Sequence, residues 1–88
     1  MSTEDLFKEA SILVQNLDKK PDNSELLKLY GLYKQGKFGD IKETSTNFFD
    51  IKARMKSDYW EKEKGKSQEK AIEEYTEFVV LLIEKYNS

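Results

Sequence analysis

The chain has 88 residues, no cysteine, no histidine, 36% charged residues and a formal net charge of −2. That length makes one small domain, residues 1–88, with one modest core. The missing residue types exclude disulfides, thiolate chemistry, Ser-His-Asp or Cys-His catalytic units within the chain, and the commonest zinc ligand. Many nearly balanced charges lack the basic excess of a dedicated nucleic-acid binder, yet leave room for a local basic patch facing a small polyanion.

The chain opens on Met1-Ser2-Thr3-Glu4-Asp5, polar and acidic, unlike a signal peptide. A first helix is predicted over about 3–17. Leu6, Ala10, Leu13, Val14 and Leu17 follow i, i+4, i+7, i+8 and i+11, Phe7 widens that stripe, and Ser2 or Thr3 supplies the cap. Asp18-Lys19-Lys20-Pro21 ends it, because proline disfavours a helical residue before it.

A second helix begins near Asp22 or Asn23, with Asp22 and Glu25 spaced as a capping pair, and Gly36 and Gly39 bracket its end. Leu26, Leu27, Leu29, Tyr30, Leu32 and Tyr33 make it apolar around much of its circumference, more than one core contact requires. Tyr30, Tyr33 and Lys34 stand at i, i+3 and i+4. Spacing alone leaves two readings open: core tyrosines with a solvated lysine, or an aromatic and cationic face for a ligand carrying a base and phosphates.

Residues 40–49 lack periodicity and are rich in turn and cap residues, so a long loop is predicted there, pinned to the core by Phe48-Phe49. A third helix covers about 50–63. Ile51, Met55 and Tyr59 form its expected core face, with Lys52 and Lys56 on a basic face. Lys64-Gly65-Lys66-Ser67 is a turn. Its resemblance to a phosphate-binding loop fails, because Trp60 stands where the first glycine belongs. Ser67 caps a fourth helix running to about Tyr86, with a broad stripe from Ala71, Ile72 and Tyr75 through Phe78, Val79, Leu82, Ile83 and Tyr86. Val80 and Leu81 fall off that stripe and are expected at the surface. The apolar run 78–83 is too short to cross a bilayer. Four helices with one long central connection predict an all-α bundle.

Taken in order, Lys20-Pro21, Leu29-Tyr30-Gly31-Leu32-Tyr33-Lys34-Gln35, Gly39-Asp40, Lys56, Trp60, Lys64-Gly65-Lys66-Ser67, Ala71 and Tyr75 resemble the acyl-CoA-binding protein family along essentially the whole chain. The resemblance implies an up-down-down-up four-helix bundle with a long connection between helices 2 and 3. It also implies a non-catalytic carrier of long-chain fatty acyl-CoA. Lys34 and Lys56 would contact the nucleotide 3′-phosphate with a hydroxyl from Tyr30, Tyr33 would stack on adenine, and Tyr75 would complete the pocket. Ser11, Leu26, Leu27 and Met55 would line the acyl groove, and Lys20 would contribute near the first loop.

Four departures from the family pattern stand out. Ser57 replaces a second tryptophan, Ser45-Thr46-Asn47 replaces an Arg-Pro-Gly turn, Gln15 replaces a frequent lysine, and Gly36-Lys37-Phe38 replaces a small, mostly uncharged stretch. They bear on affinity and chain-length preference rather than on the class of ligand.

The expected protein is thus a cytosolic monomer with acyl-CoA as ligand, no separate cofactor, no metal and no nucleic-acid partner. It would make transient contacts with membranes or acyl-CoA-using enzymes. Any metal site would have to be all-oxygen, and no EF-hand pattern is present. The competing expectation is a small helical module that docks a partner helix or a membrane through residues 78–83 and the open face of helix 2.

Overall fold

Each helix opens at a side chain that accepts a hydrogen bond from an otherwise free backbone N–H. Ser2 accepts from Asp5, Asp50 from Ala53 and Ser67 from Lys70. Asp22 accepts from Glu25 at 2.9 Å, while the Glu25 carboxylate accepts from the Asp22 N–H at 3.0 Å, closing a reciprocal capping box. A computed structural model describes residues 2–42 and 50–87. In it these caps begin α1 (Thr3–Leu13), α2 (Asn23–Phe38), α3 (Ile51–Glu61) and α4 (Gln68–Tyr86), with a 3-10 turn at Val14–Asn16. The residues described hold no strand, and none of their helices is long and apolar enough to cross a membrane. The expected pinning by Phe48-Phe49 and the Ser45-Thr46-Asn47 turn lie outside the described residues.

The first helix is shorter than its periodicity predicts. Beyond Leu13 the chain tightens into the 3-10 turn, and the Asn16 amide donates back to the Ile12 carbonyl at 2.9 Å. The buried stripe is also narrower. Phe7, Ala10, Val14 and Leu17 turn inward, whereas Leu6 (43% exposed) and Leu13 (46%) face solvent. Among the helices, α1 lies backbone to backbone only on α4, so one narrow face suffices.

The central helix is α2, packed on α4 along one side and on α3 along another. Leu29 and Leu32 enter a core shared with Ala10, Tyr75, Val79 and Leu82. Gly31 lets α3 approach closely: a Cβ there would sit 2.5 Å from the Tyr59 carbonyl oxygen. Gly36 and Gly39 bracket the end of α2 at Phe38, as expected, but Gly36 itself does not stop the helix. It lies inside it, against Ile72 and Phe7, and Gly39 makes the stop with φ 78°.

The expected core face of α3 is a correction. Ile51 is 68% exposed and Met55 42% exposed, and the helix contains no buried residue. Among the described elements it packs on α2 alone, through half-buried Ala53, Ser57, Tyr59 and Trp60. The helix also ends at Glu61 rather than 63. By contrast α4 buries Ala71, Ile72, Tyr75, Val79 and Leu82 of its predicted stripe, half-buries Phe78, Ile83 and Tyr86, and leaves Val80 and Leu81 at the surface.

Directions follow from the contacts. Phe7 meets Tyr75 while Asp18 N–H donates to the Asn87 side chain at 2.9 Å, so α1 and α4 run alike. Gly36 meets Ile72 while Lys85 pairs with Glu25 at 2.8 Å, so α2 opposes α4. Lys56 meets Tyr30 and Trp60 meets Gly39, so α3 runs with α2. This is the order of an up-down-down-up bundle. The end of α2 is fastened to the turn before α4. Asp40 accepts from Gln35 and from the Gly65 N–H, both at 2.8 Å, and the fully buried Gln35 amide also donates to the Lys66 carbonyl at 2.7 Å.

Candidate functional site

On the stripe of α2 that faces α3, Leu27, Tyr30 and Lys34 follow i, i+3 and i+7. The Lys34 ammonium lies 5.5 Å from the Tyr30 ring centre, and the Lys56 ammonium from α3 lies 5.4 Å from the same ring. Lys34 also stands 5.0 Å from Phe38 and 5.9 Å from Trp60, whose indole N–H donates to the Gly39 carbonyl at 2.9 Å. The ion pairs among the described residues join Lys66 to Glu63 and Glu74, and Lys85 to Glu25. Neither Lys34 nor Lys56 is neutralised by them. Two ammonium groups from two helices around one phenol create a local positive field suited to an anion.

The next aromatic on α2 belongs to a different cluster. Tyr33 lies 5.0 Å from Phe7 and 5.7 Å from Tyr75, and Phe7 meets Tyr75 nearly edge-on at 5.2 Å. Tyr75 is 3% exposed and supports the other two rings from within the core. Burial, with Tyr33 alongside, pushes its hydroxyl up to about 12. Half-buried Tyr33 opens on a cleft of about 850 Å³ between α1, the last turns of α2 and the start of α4. Phe7, Ser11, Ile12, Gly36 and Ile72 line it, with Lys8 and Lys37 supplying cations and Glu4 and Glu69 carboxylates.

The structure thus brings Tyr30, Lys34 and Lys56 together, and sets Tyr33 and Ser11 on one cleft with Tyr75 beneath. It places the other expected residues elsewhere. Lys20 and Leu26 line a smaller cleft of about 350 Å³ with Val14, Gln15 and Pro21, at the far end of α1. Leu27 is half-buried one turn before Tyr30, and Met55 is exposed on α3. From sequence, Lys37 counts only as a cation that can compensate for the lysine replaced by Gln15, and Phe7 is not singled out as a site residue. Phe7 is masked by sharing a helical face with core residues. Lys37 carries a detectable signal, standing four residues after Tyr33 on the same face. The described residues contain no group of three or more acidic side chains that could hold a metal ion.

Three comparisons bear on this geometry. The sequence model of the family described as "Acyl CoA binding protein" matches residues 4–79. "Acyl-CoA-binding protein 2" of Saccharomyces pastorianus is 48% identical over 83 residues, 94% of this chain and 95% of that protein. The crystal structure of Oryza sativa Acyl-CoA-Binding Protein 2 superposes with a TM-score of 0.90 at 33% identity, over 96% of this chain and 93% of that one. The solution structure of the yeast Acyl Coenzyme A Binding Protein does so with a TM-score of 0.74 at 47% identity, over 94% and 96%.

Proposed function

Because the chain belongs to the acyl-CoA-binding protein family, we propose that it binds long-chain fatty acyl-CoA esters and serves as a non-catalytic, monomeric cytoplasmic carrier and pool-former built on one domain, residues 1–88. The observation that carries the site assignment is the convergence of Lys34 and Lys56 on Tyr30, 5.5 and 5.4 Å from its ring centre, next to the Tyr33 cleft. In this reading the two lysines and the Tyr30 hydroxyl hold the 3′-phosphate, and Tyr33 stacks on adenine with Phe7 and Tyr75 behind it. Ser11, Leu26, Leu27 and Met55 contribute to the tail's path, with Lys20 at its periphery. Acyl-CoA is the ligand and no cofactor is needed.

Magnitudes favour joint action over any one contact. An exposed lysine–phosphate pair contributes about 1 kcal/mol or less. Stacking of a base on an aromatic ring adds ~1–3 kcal/mol, and tail burial adds up to ~0.8 kcal/mol per CH₂. Affinity therefore rises with acyl length until the groove is filled, and free CoA binds far more weakly. Calorimetric titration with acyl-CoAs of several lengths, with free CoA and a free fatty acid as controls, tests this. Absence of saturable binding by folded protein rejects the function. Lys34→Ala and Tyr33→Ala each weaken binding by roughly tenfold, about 1.4 kcal/mol, with unchanged helical circular dichroism. Docking through exposed Val80 and Leu81 would instead be indifferent to Lys34→Ala and to CoA.

A further inference from the structure

The cations near Tyr30 and Tyr33 on α2 form two poles. One is Lys34 with Lys56 at Tyr30. The other is Lys37, whose ammonium lies 5.6 Å from the Tyr33 ring centre and 3.5 Å from its hydroxyl. The Phe38 ring lies 5.0 Å from the Lys34 ammonium and 5.6 Å from that of Lys37. Lys34 and Lys37 sit three residues apart on one helix, but only Lys37 lines the 850 Å³ cleft, where Lys8 approaches from α1. Glu4 and Glu69 line the same cleft, yet neither forms an ion pair with Lys37. Lys37 is exposed, so it reaches a ligand without leaving a buried partner unpaired.

Coenzyme A also carries two anionic groups on one ribose: a 3′-monophosphate and a 5′-diphosphate that leads on to pantetheine and the acyl chain. A base stacked on Tyr33 leaves room for one anion at each pole. The diphosphate is assigned to the Lys37 side, where Lys37, Lys8 and Ser11 line one cleft. We propose that Lys37 is a further ligand-contacting residue, holding the 5′-diphosphate of the acyl-CoA while Lys34 and Lys56 hold the 3′-phosphate. This rests on the acyl-CoA reading above. On binding, the Lys37 ammonium leaves the Tyr33 hydroxyl and donates to diphosphate oxygens, a charge-assisted contact. A lysine in the last turn of α2 also complements the helix dipole, and that role alone changes stability and not affinity.

The test compares palmitoyl-CoA with 3′-dephospho-palmitoyl-CoA by titration calorimetry on the full chain, for the parent, Lys37→Ala, Lys37→Arg, Lys37→Glu and Lys34→Ala. The expected result is a roughly three- to tenfold loss for Lys37→Ala at low ionic strength, equal for both ligands. Lys37→Arg restores affinity and Lys37→Glu deepens the loss. The Lys34→Ala loss shrinks on the ligand that lacks the 3′-phosphate. High salt narrows the Lys37→Ala difference. Parent-like affinity of Lys37→Ala for both ligands overturns the proposal while leaving the carrier function standing. A Lys37→Ala loss that vanishes with the 3′-phosphate overturns the diphosphate assignment. Failure of the parent to bind palmitoyl-CoA removes the underlying function as well.

Discussion

Tyr75 shows how one residue serves both the core and the site. Its ring is edge-on to Phe7 and Tyr33 and almost fully buried, so it fixes the wall on which a base would stack. Its hydroxyl is raised from 10.0 to about 12, chiefly by burial. The folded state therefore keeps the proton that the unfolded chain loses first. The resulting stability is full below pH 10 and is lost as pH rises from 10 through about 12. Chemical denaturation of the parent and of Tyr75→Phe across that window checks this: the parent loses more stability than the variant, and parallel profiles would refute it. Residue identity at helical spacing made Tyr30, Tyr33 and Lys34 legible from sequence, but not whether they were core or site. The structure divides them: Tyr30 and Lys34 go to the α3 side, and Tyr33 goes to the α1 side. Phe7 was harder to single out because a residue on a core stripe gives the same signal whether it faces a leucine or a cleft.

Among elements, α2 is central: it meets both α3 and α4 and carries Tyr30, Tyr33 and Lys34. Its capping box, its leucines toward α4 and its glycine stop were readable from residue type and offset. The close approach of α3 was not, because it depends on a missing side chain at Gly31 meeting backbone from another helix. Gly31→Ala places a Cβ against the Tyr59 carbonyl, which cannot swing aside as a side chain would. We expect a loss of about 1–3 kcal/mol in urea denaturation. We also expect weaker acyl-CoA binding, because α3 carries Lys56. A variant with parent stability and parent affinity would show that α3 tolerates the displacement. The misread face of α3 has a related cause. Ile51, Met55 and Tyr59 form a proper helical stripe, but a helix with only one neighbour among the described elements need not bury its most apolar face, and periodicity does not count neighbours.

For the whole molecule, a four-helix all-α bundle followed from helix count and the long central connection, the up-down-down-up order was what the family resemblance implied, and the relative directions are fixed by contacts at opposite ends. In so small a bundle, ligand binding adds appreciably to total stability. Acyl-CoA at a hundredfold excess over its dissociation constant adds about 2.7 kcal/mol. For a domain of this size that raises the melting temperature by roughly 10–20 °C. Thermal melts with and without palmitoyl-CoA check this, and equal midpoints would contradict it. A different consequence comes from Trp60, the chain's only tryptophan. Its indole is held by the Gly39 carbonyl, with the Lys34 ammonium 5.9 Å from its ring centre and the Phe38 ring beside it. The protein therefore carries a built-in optical reporter at the edge of the two-lysine corner, so an anion drawn to Lys34 changes the electric field on a single chromophore whose emission can be followed without a label.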